Sequence, residues 1–200
     1  MEYPHWKYFL ALDSELEVVS RYVEISRENY KTYSIQFVSL LLSACAEIDV
    51  VAKVLCSKID PEFRHSRGSF PTIIDYQNTI TGKFSNFQTT KIQTPRHGIK
   101  LVPWKEWESQ STPPPWWTSY NHVKHRRNDH YKDANLENTI NAVAGLFVMV
   151  LYLYTYDLRL NVEHIPAPKF FAVDQLYETG TRWANNIYYR TPDQIDGDTA

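Results

Sequence analysis

Asn138-Thr139-Ile140-Asn141-Ala142-Val143-Ala144-Gly145-Leu146-Phe147-Val148-Met149-Val150-Leu151-Tyr152-Leu153-Tyr154-Thr155-Tyr156 is the stretch that decides the fold, because no residue in it carries a charge. An uncharged run of this kind belongs either in a bilayer or in the middle of a globular core. A membrane span needs about 20 predominantly apolar residues. Here the apolar part begins only at Ala142, and Asn138, Thr139 and Asn141 occupy the start. The run therefore predicts a buried central helix over about 134–160 and no membrane segment. A helix that is apolar on every side has to be wrapped by other helices.

Working outward, the wrapping elements can be read from their periodicity. Phe37, Leu41, Ala44, Ile48, Val51 and Leu55 recur at spacings of three and four, and Val38, Cys45, Ala52 and Cys56 make a second apolar flank. That pattern predicts a long helix over about 30–57, buried across a wide arc. Phe9, Leu10, Leu12, Leu16, Val19, Tyr22 and Val23 predict another over about 8–25. Asn29, Tyr33 and Ser34 are placed to cap or brace the start of the long helix. Pro113-Pro114-Pro115 stops the chain and can open a helix over about 116–131, since proline is tolerated in a first turn.

Residues 58–114 have a different texture, punctuated by Pro61, Gly68, Pro71, Gly82, Pro95, Gly98 and Pro103. Within them 91–93 and 99–102 read as a small hairpin. We expect an inserted loop and β-hairpin lobe that could be removed without unfolding the bundle. The domain is thus expected to cover residues 1–189 as one unit, with 190–200 as a frayed polar tail.

Bulk properties narrow the function classes. With 43% hydrophobic and 22% charged residues over 200 positions, the chain has globular composition. A net charge of −2 excludes polyanion binding by overall charge, so any nucleic-acid contact must come from a local patch. Cys45 and Cys56 lie about 16 Å apart along one helix, too far to bond. They match no zinc spacing, and reduced thiols with no basic N-terminal leader predict a cytoplasmic protein. Fourteen Tyr, nine Phe and six Trp fit either a thick aromatic core or a recognition surface.

The one chemically dense segment is Tyr120-Asn121-His122-Val123-Lys124-His125-Arg126-Arg127-Asn128-Asp129-His130. At 100° per residue Trp116, Tyr120 and Val123 share a stripe, which Arg127 and His130 continue and Lys124 borders. An arginine on an inward stripe must be paired or face a polar cleft. Glu47, on the long helix, is a candidate to neutralise it, with plain exposure as the alternative. His125 projects the opposite way. His122, His125 and His130 spread over about 140° of the helix, too wide to share one ion without outside ligands, so no metal and no cofactor is expected.

Arg21-Tyr22-Val23, Asn29 with Tyr33-Ser34, Glu47-Ile48-Asp49, and Tyr120-Asn121-x-x-Lys124-His125-x-Arg127 ahead of Ala134-Asn135-Leu136-Glu137-Asn138 resemble uncharacterised bacterial proteins of the HEPN superfamily. The resemblance covers roughly 8–58 and 115–160. It implies an all-α bundle of four to five helices that pairs as a homodimer, with RNA or a cognate protein as further partner, in phage defence or a toxin–antitoxin system.

Many such proteins are metal-independent ribonucleases whose motif is Arg, four to six residues, then His. The basic helix departs from that spacing, since Arg126 and Arg127 precede His130 by three and two intervening residues. Arg159 and His164 have it, but they fall at the far end of the last helix, two residues before a proline, and read as coincidence. Two readings follow. In the first, Arg127 with His125 or His130 cleaves RNA at a dimer cleft, assisted by Asn121 and Lys124 and supported by Glu47. In the second, the chain is a non-catalytic dimerisation or interaction module.

Overall fold

The computed structural model describes residues 3–63, 70–109, 111–158 and 166–173. The architecture is helical, with α1 (Pro4–Val19), α2 (Ile35–Ile59), α3 (Ile73–Lys83), α4 (Pro115–His130) and α5 (Leu136–Leu158). A small sheet of β1 (Ile92–Thr94), β2 (Ile99–Leu101) and β3 (Ala172–Val173) has the order β2-β1-β3, with both pairings antiparallel. The helical fold with a hairpin lobe is as expected. Helix α3 and strand β3 are additions, and the tail at 190–200 lies outside the described residues.

Helix α5 is the centre. Every residue from Ala142 to Thr155 is buried, and the most extensive helix–helix contact is between α2 and α5. By length and composition the Leu136–Tyr156 segment could cross a membrane, but 83% of its most apolar window is buried against the rest of the protein. The α5 start is fixed from outside the helix. Asn135 Oδ1 accepts the Asn138 N–H at 3.0 Å, and the Leu136 N–H donates to the Thr32 carbonyl at 2.9 Å. On its α1 side Phe147 stacks on Phe9, with centroids 4.6 Å apart and planes 5° from parallel.

The opposite side of α5 is covered by the stretch that the sequence marks as a removable lobe, and its side chains are core. Trp104 is fully buried and donates its indole N–H to the Gly145 carbonyl at 3.1 Å. It meets Trp107, Trp116 and Phe87 at centroid distances of 4.2, 5.0 and 5.5 Å. A Cβ on Gly145 would stand 3.1 Å from the Trp116 ring, so α5 and α4 approach here because this position has no side chain. Helix α3, capped by the reciprocal Thr72–Asp75 box, buries Tyr76 and Ile80. The Tyr76 hydroxyl donates to Asp49 of α2 at 2.8 Å. Among the described residues the tryptophans are core, with Trp6, Trp104, Trp107, Trp116 and Trp117 all buried, whereas Tyr8, Tyr22, Tyr33 and Phe70 are exposed. Packing of this density argues against a dispensable lobe.

The sheet ties the C-terminal stretch back to the lobe. Gly98, at φ 67°, turns the hairpin, and Ile92 pairs with both Leu101 and Val173. Beside it the Asp13 carboxylate of α1 accepts the main-chain N–H groups of Lys169, Phe170 and Phe171 at 2.7–3.2 Å. Burial raises the Asp13 carboxyl above its ordinary range even though those three amides oppose it.

Candidate functional site

Helix α4 begins as a core helix. Its first turn opens on Pro115, as the proline run predicts, and Trp116, Trp117, Tyr120 and Val123 are buried. The helical path then breaks. Arg126 has φ −140° and ψ 49°, outside the α region, so the 100° progression does not carry through it.

That kink moves Arg127 off the inward stripe. Lys124, His125, Arg126 and Arg127 are all exposed, and with Asn128 and Asp129 they line one open depression. Arg127 is thus a surface residue. The expected neutralisation by Glu47 does not form either, because Glu47 accepts from His5 Nδ1 at 2.6 Å. Lys124 lies against Tyr120, its Nζ 3.1 Å from the hydroxyl and 5.2 Å from the ring centroid. Among the described residues neither Arg126 nor Arg127 pairs with a carboxylate. Asn121 is half-buried one turn before the kink.

The kink also overturns the angular reading of the histidines. Eight residues of unbroken helix would separate His122 and His130 by about 12 Å along the axis. Their rings instead stand 4.4 Å apart, at 38°. Both Nδ1 atoms reach the same oxygen, Asp133 Oδ2, at 3.2 Å from His122 and 3.0 Å from His130. Asp133 sits in the 3₁₀ turn Tyr131–Asp133 that follows α4. Its carbonyl accepts from Asn138 Nδ2 at 2.8 Å, and the same amide donates to Ser119 Oγ at 3.0 Å, so the turn is braced from both α4 and α5.

The structure therefore divides the residues singled out in the sequence. Lys124, His125 and Arg127 come together on one surface, and His130 joins His122 and Asp133 just beyond it. Sequence reasoning does not single out Asp133. Its only signal is an acid three residues after His130, which carries no weight without the kink.

The two cysteines are chemically quiet. Both are buried and unbonded to each other. Burial drives the Cys45 thiol well above its usual range and that of Cys56 up to about 12, against a small opposing hydrogen bond from Thr79. Neither provides a nucleophile at neutral pH. Comparison of the chain with protein-family models, with curated proteins and with solved structures gives no match.

Proposed function

We propose that the kinked turn of α4 grips the phosphate backbone of RNA, in a protein of HEPN type. The observation that supports this is the exposure of Lys124, His125, Arg126 and Arg127 around a single open depression at the break in α4. Three fixed cations within four residues give a chain of net charge −2 the local positive patch that phosphate contact requires. Arginine adds a planar fork suited to two phosphate oxygens at once. The motif that resembles the HEPN superfamily, Asn121-x-x-Lys124-His125-x-Arg127, lies across this same turn.

The finer reading is metal-independent RNA cleavage at a cleft between two copies of the chain. Such a reaction needs a base for the 2′-hydroxyl, an acid for the leaving oxygen and a cation for the charge that builds on phosphorus. His125 shares the depression with Arg127 and Lys124, so it is the histidine placed to move the proton. His130 is turned to Asp133 instead. In this reading Arg127 and Lys124 hold the phosphate and Asn121 steadies the turn. The rival reading, an interaction module, needs only the binding part.

The test is a salt series of single-stranded RNA binding, with cleavage followed in the presence of a chelator. Contact with about three phosphates gives a slope of log K against log salt near −2. His125→Ala should leave binding in place and slow cleavage by about 10²–10⁴-fold. Binding that does not depend on salt, or that survives loss of both Arg126 and Arg127, would dismiss the RNA reading. Binding without cleavage by the wild-type protein would make the chain a module.

A further inference from the structure

His122, His130 and Asp133 make a cluster that RNA recognition does not use. All three donor atoms lie within 4.8 Å of one another. We infer that they bind a divalent first-row transition ion of the zinc class, and that the ion staples the two halves of the kinked α4.

In a tetrahedral site with metal–ligand bonds of about 2.0–2.2 Å, neighbouring ligand atoms stand about 3.3–3.6 Å apart. Two edges of the cluster, from Asp133 Oδ2 to the Nδ1 atoms of His122 and His130, already measure 3.2 and 3.0 Å. Those short edges are hydrogen bonds when each neutral imidazole donates from Nδ1 to the carboxylate. Moving each imidazole proton to Nε2 frees both Nδ1 lone pairs to join the Asp133 carboxylate oxygen as ligands.

The donor set chooses the ion. Two imidazole nitrogens and one carboxylate oxygen suit zinc, cobalt, nickel or ferrous iron, whereas magnesium and calcium favour oxygen ligands. The side chains are 37%, 26% and 36% exposed for His122, His130 and Asp133, so the cluster is open to solvent on one side. That leaves a fourth position for water. The main chain of Asp133 is also braced behind the site, because Asn138 ties its carbonyl to Ser119. Bracing of this kind is what fixes a ligand's direction before the ion arrives.

Placement gives the ion its role. His122 lies before the break at Arg126, while His130 and Asp133 lie after it. A bound ion would close the loop that carries Lys124, His125, Arg126 and Arg127. It would do so whatever that loop binds.

Cobalt is the probe, because it substitutes for zinc and reports its ligands by visible d–d absorption. The full chain, stripped with a chelator, should take up one cobalt ion, release it to zinc, and melt at a higher temperature when loaded. His122→Ala, His130→Ala and Asp133→Asn should each weaken uptake by more than the 10- to 100-fold that loss of an outer-shell partner costs. The inference is overturned if the folded wild-type protein binds neither cobalt nor zinc with Kd below about 100 µM. It is equally overturned if the three variants bind as tightly as wild type. The wild-type measurement decides the matter even if a variant fails to fold. RNA binding by the chelated protein is a separate reading that bears on the basic turn alone.

Discussion

Up to Val123, α4 is a core helix whose tryptophans close on α5 and the lobe; beyond Val123 the same helix becomes a row of exposed cations. The two halves differ in what fixes them. The first is held by dense aromatic contact and by indole hydrogen bonds, with Trp116 donating to the Pro103 carbonyl at 2.8 Å. The second is held by a few polar contacts around Asp133 and is otherwise free to meet a partner. Substitutions in the first half and its neighbours should therefore act on stability, and those in the second on binding.

The largest effect should come from removing the lobe. Replacing residues 70–109 with a short linker takes away Trp104, Trp107, Phe87, Tyr76 and Ile80 together and bares one side of α5. Loss of one buried large side chain alone costs about 3–5 kcal/mol, against a total stability of about 5–15 kcal/mol. We expect no cooperative melting by circular dichroism. A shortened chain that still melted sharply would show that α1, α2, α4 and α5 suffice.

The next effect is at Asp13, which joins α1 to the C-terminal stretch. Asp13→Ala leaves the amides of Phe170 and Phe171 without their acceptor, at about 1–3 kcal/mol for each buried group. The acid also has a pH signature. Its folded pKa is raised above 3.8, so its contribution is full below that value and declines as pH rises through the folded pKa. Asp13→Asn should remove this decline. A difference curve between wild type and Asp13→Asn that stays flat above pH 3.8 would show that folding does not raise this carboxyl.

How much of this is legible in the sequence follows from what each feature depends on. The charge-free run announces α5, and the three-and-four spacing announces α2, because burial of a helix is written in its own residues. Helix α3 escapes notice although Thr72-Ile73-Ile74-Asp75 is a capping-box pattern. Its Thr79, Thr81 and Gly82 are weak helix formers, and they hide it within the Pro/Gly texture. Asp13 sits beside Leu12 in an apolar stripe, yet its partners are 156–158 residues away and follow no local rule. The site is legible as a set of residues but not as an arrangement. An inward Arg127 and widely separated histidines both presuppose an unbroken α4, and no proline or glycine near Arg126 marks the break.

Gly145→Ala is a finer probe of the aromatic half. Alanine gains about 1 kcal/mol of helix propensity over glycine, which alone would stabilise α5. The new methyl would meet Trp116 at 3.1 and 3.3 Å, and Trp116 is tied by its indole bond to Pro103. We expect the crowding to exceed the gain, for a net loss of about 1 kcal/mol, within the range for overpacking. A rise in melting temperature would show that the tryptophan seam yields more readily than its hydrogen bonds suggest.

The smallest effect on stability, and the most informative about function, belongs to Arg127→Ala. An arginine that neutralised a buried Glu47 would take about 3–5 kcal/mol with it. Glu47 is instead occupied by His5, and Arg127 stands in solvent, so the expected change is within about 0.5 kcal/mol. On RNA the same substitution should reduce affinity and lower the salt slope by about 0.7, the share of one phosphate contact on a single strand. Arg127→Lys keeps the charge but not the fork. It should therefore preserve the salt slope while losing affinity, because the slope counts charges and the fork supplies geometry. If lysine instead restored binding in full, Arg127 would act as a point charge, and the depression would be an electrostatic surface without a directed phosphate site. A melting temperature that fell with alanine and recovered with lysine would place Arg127 back in the structural half of the helix.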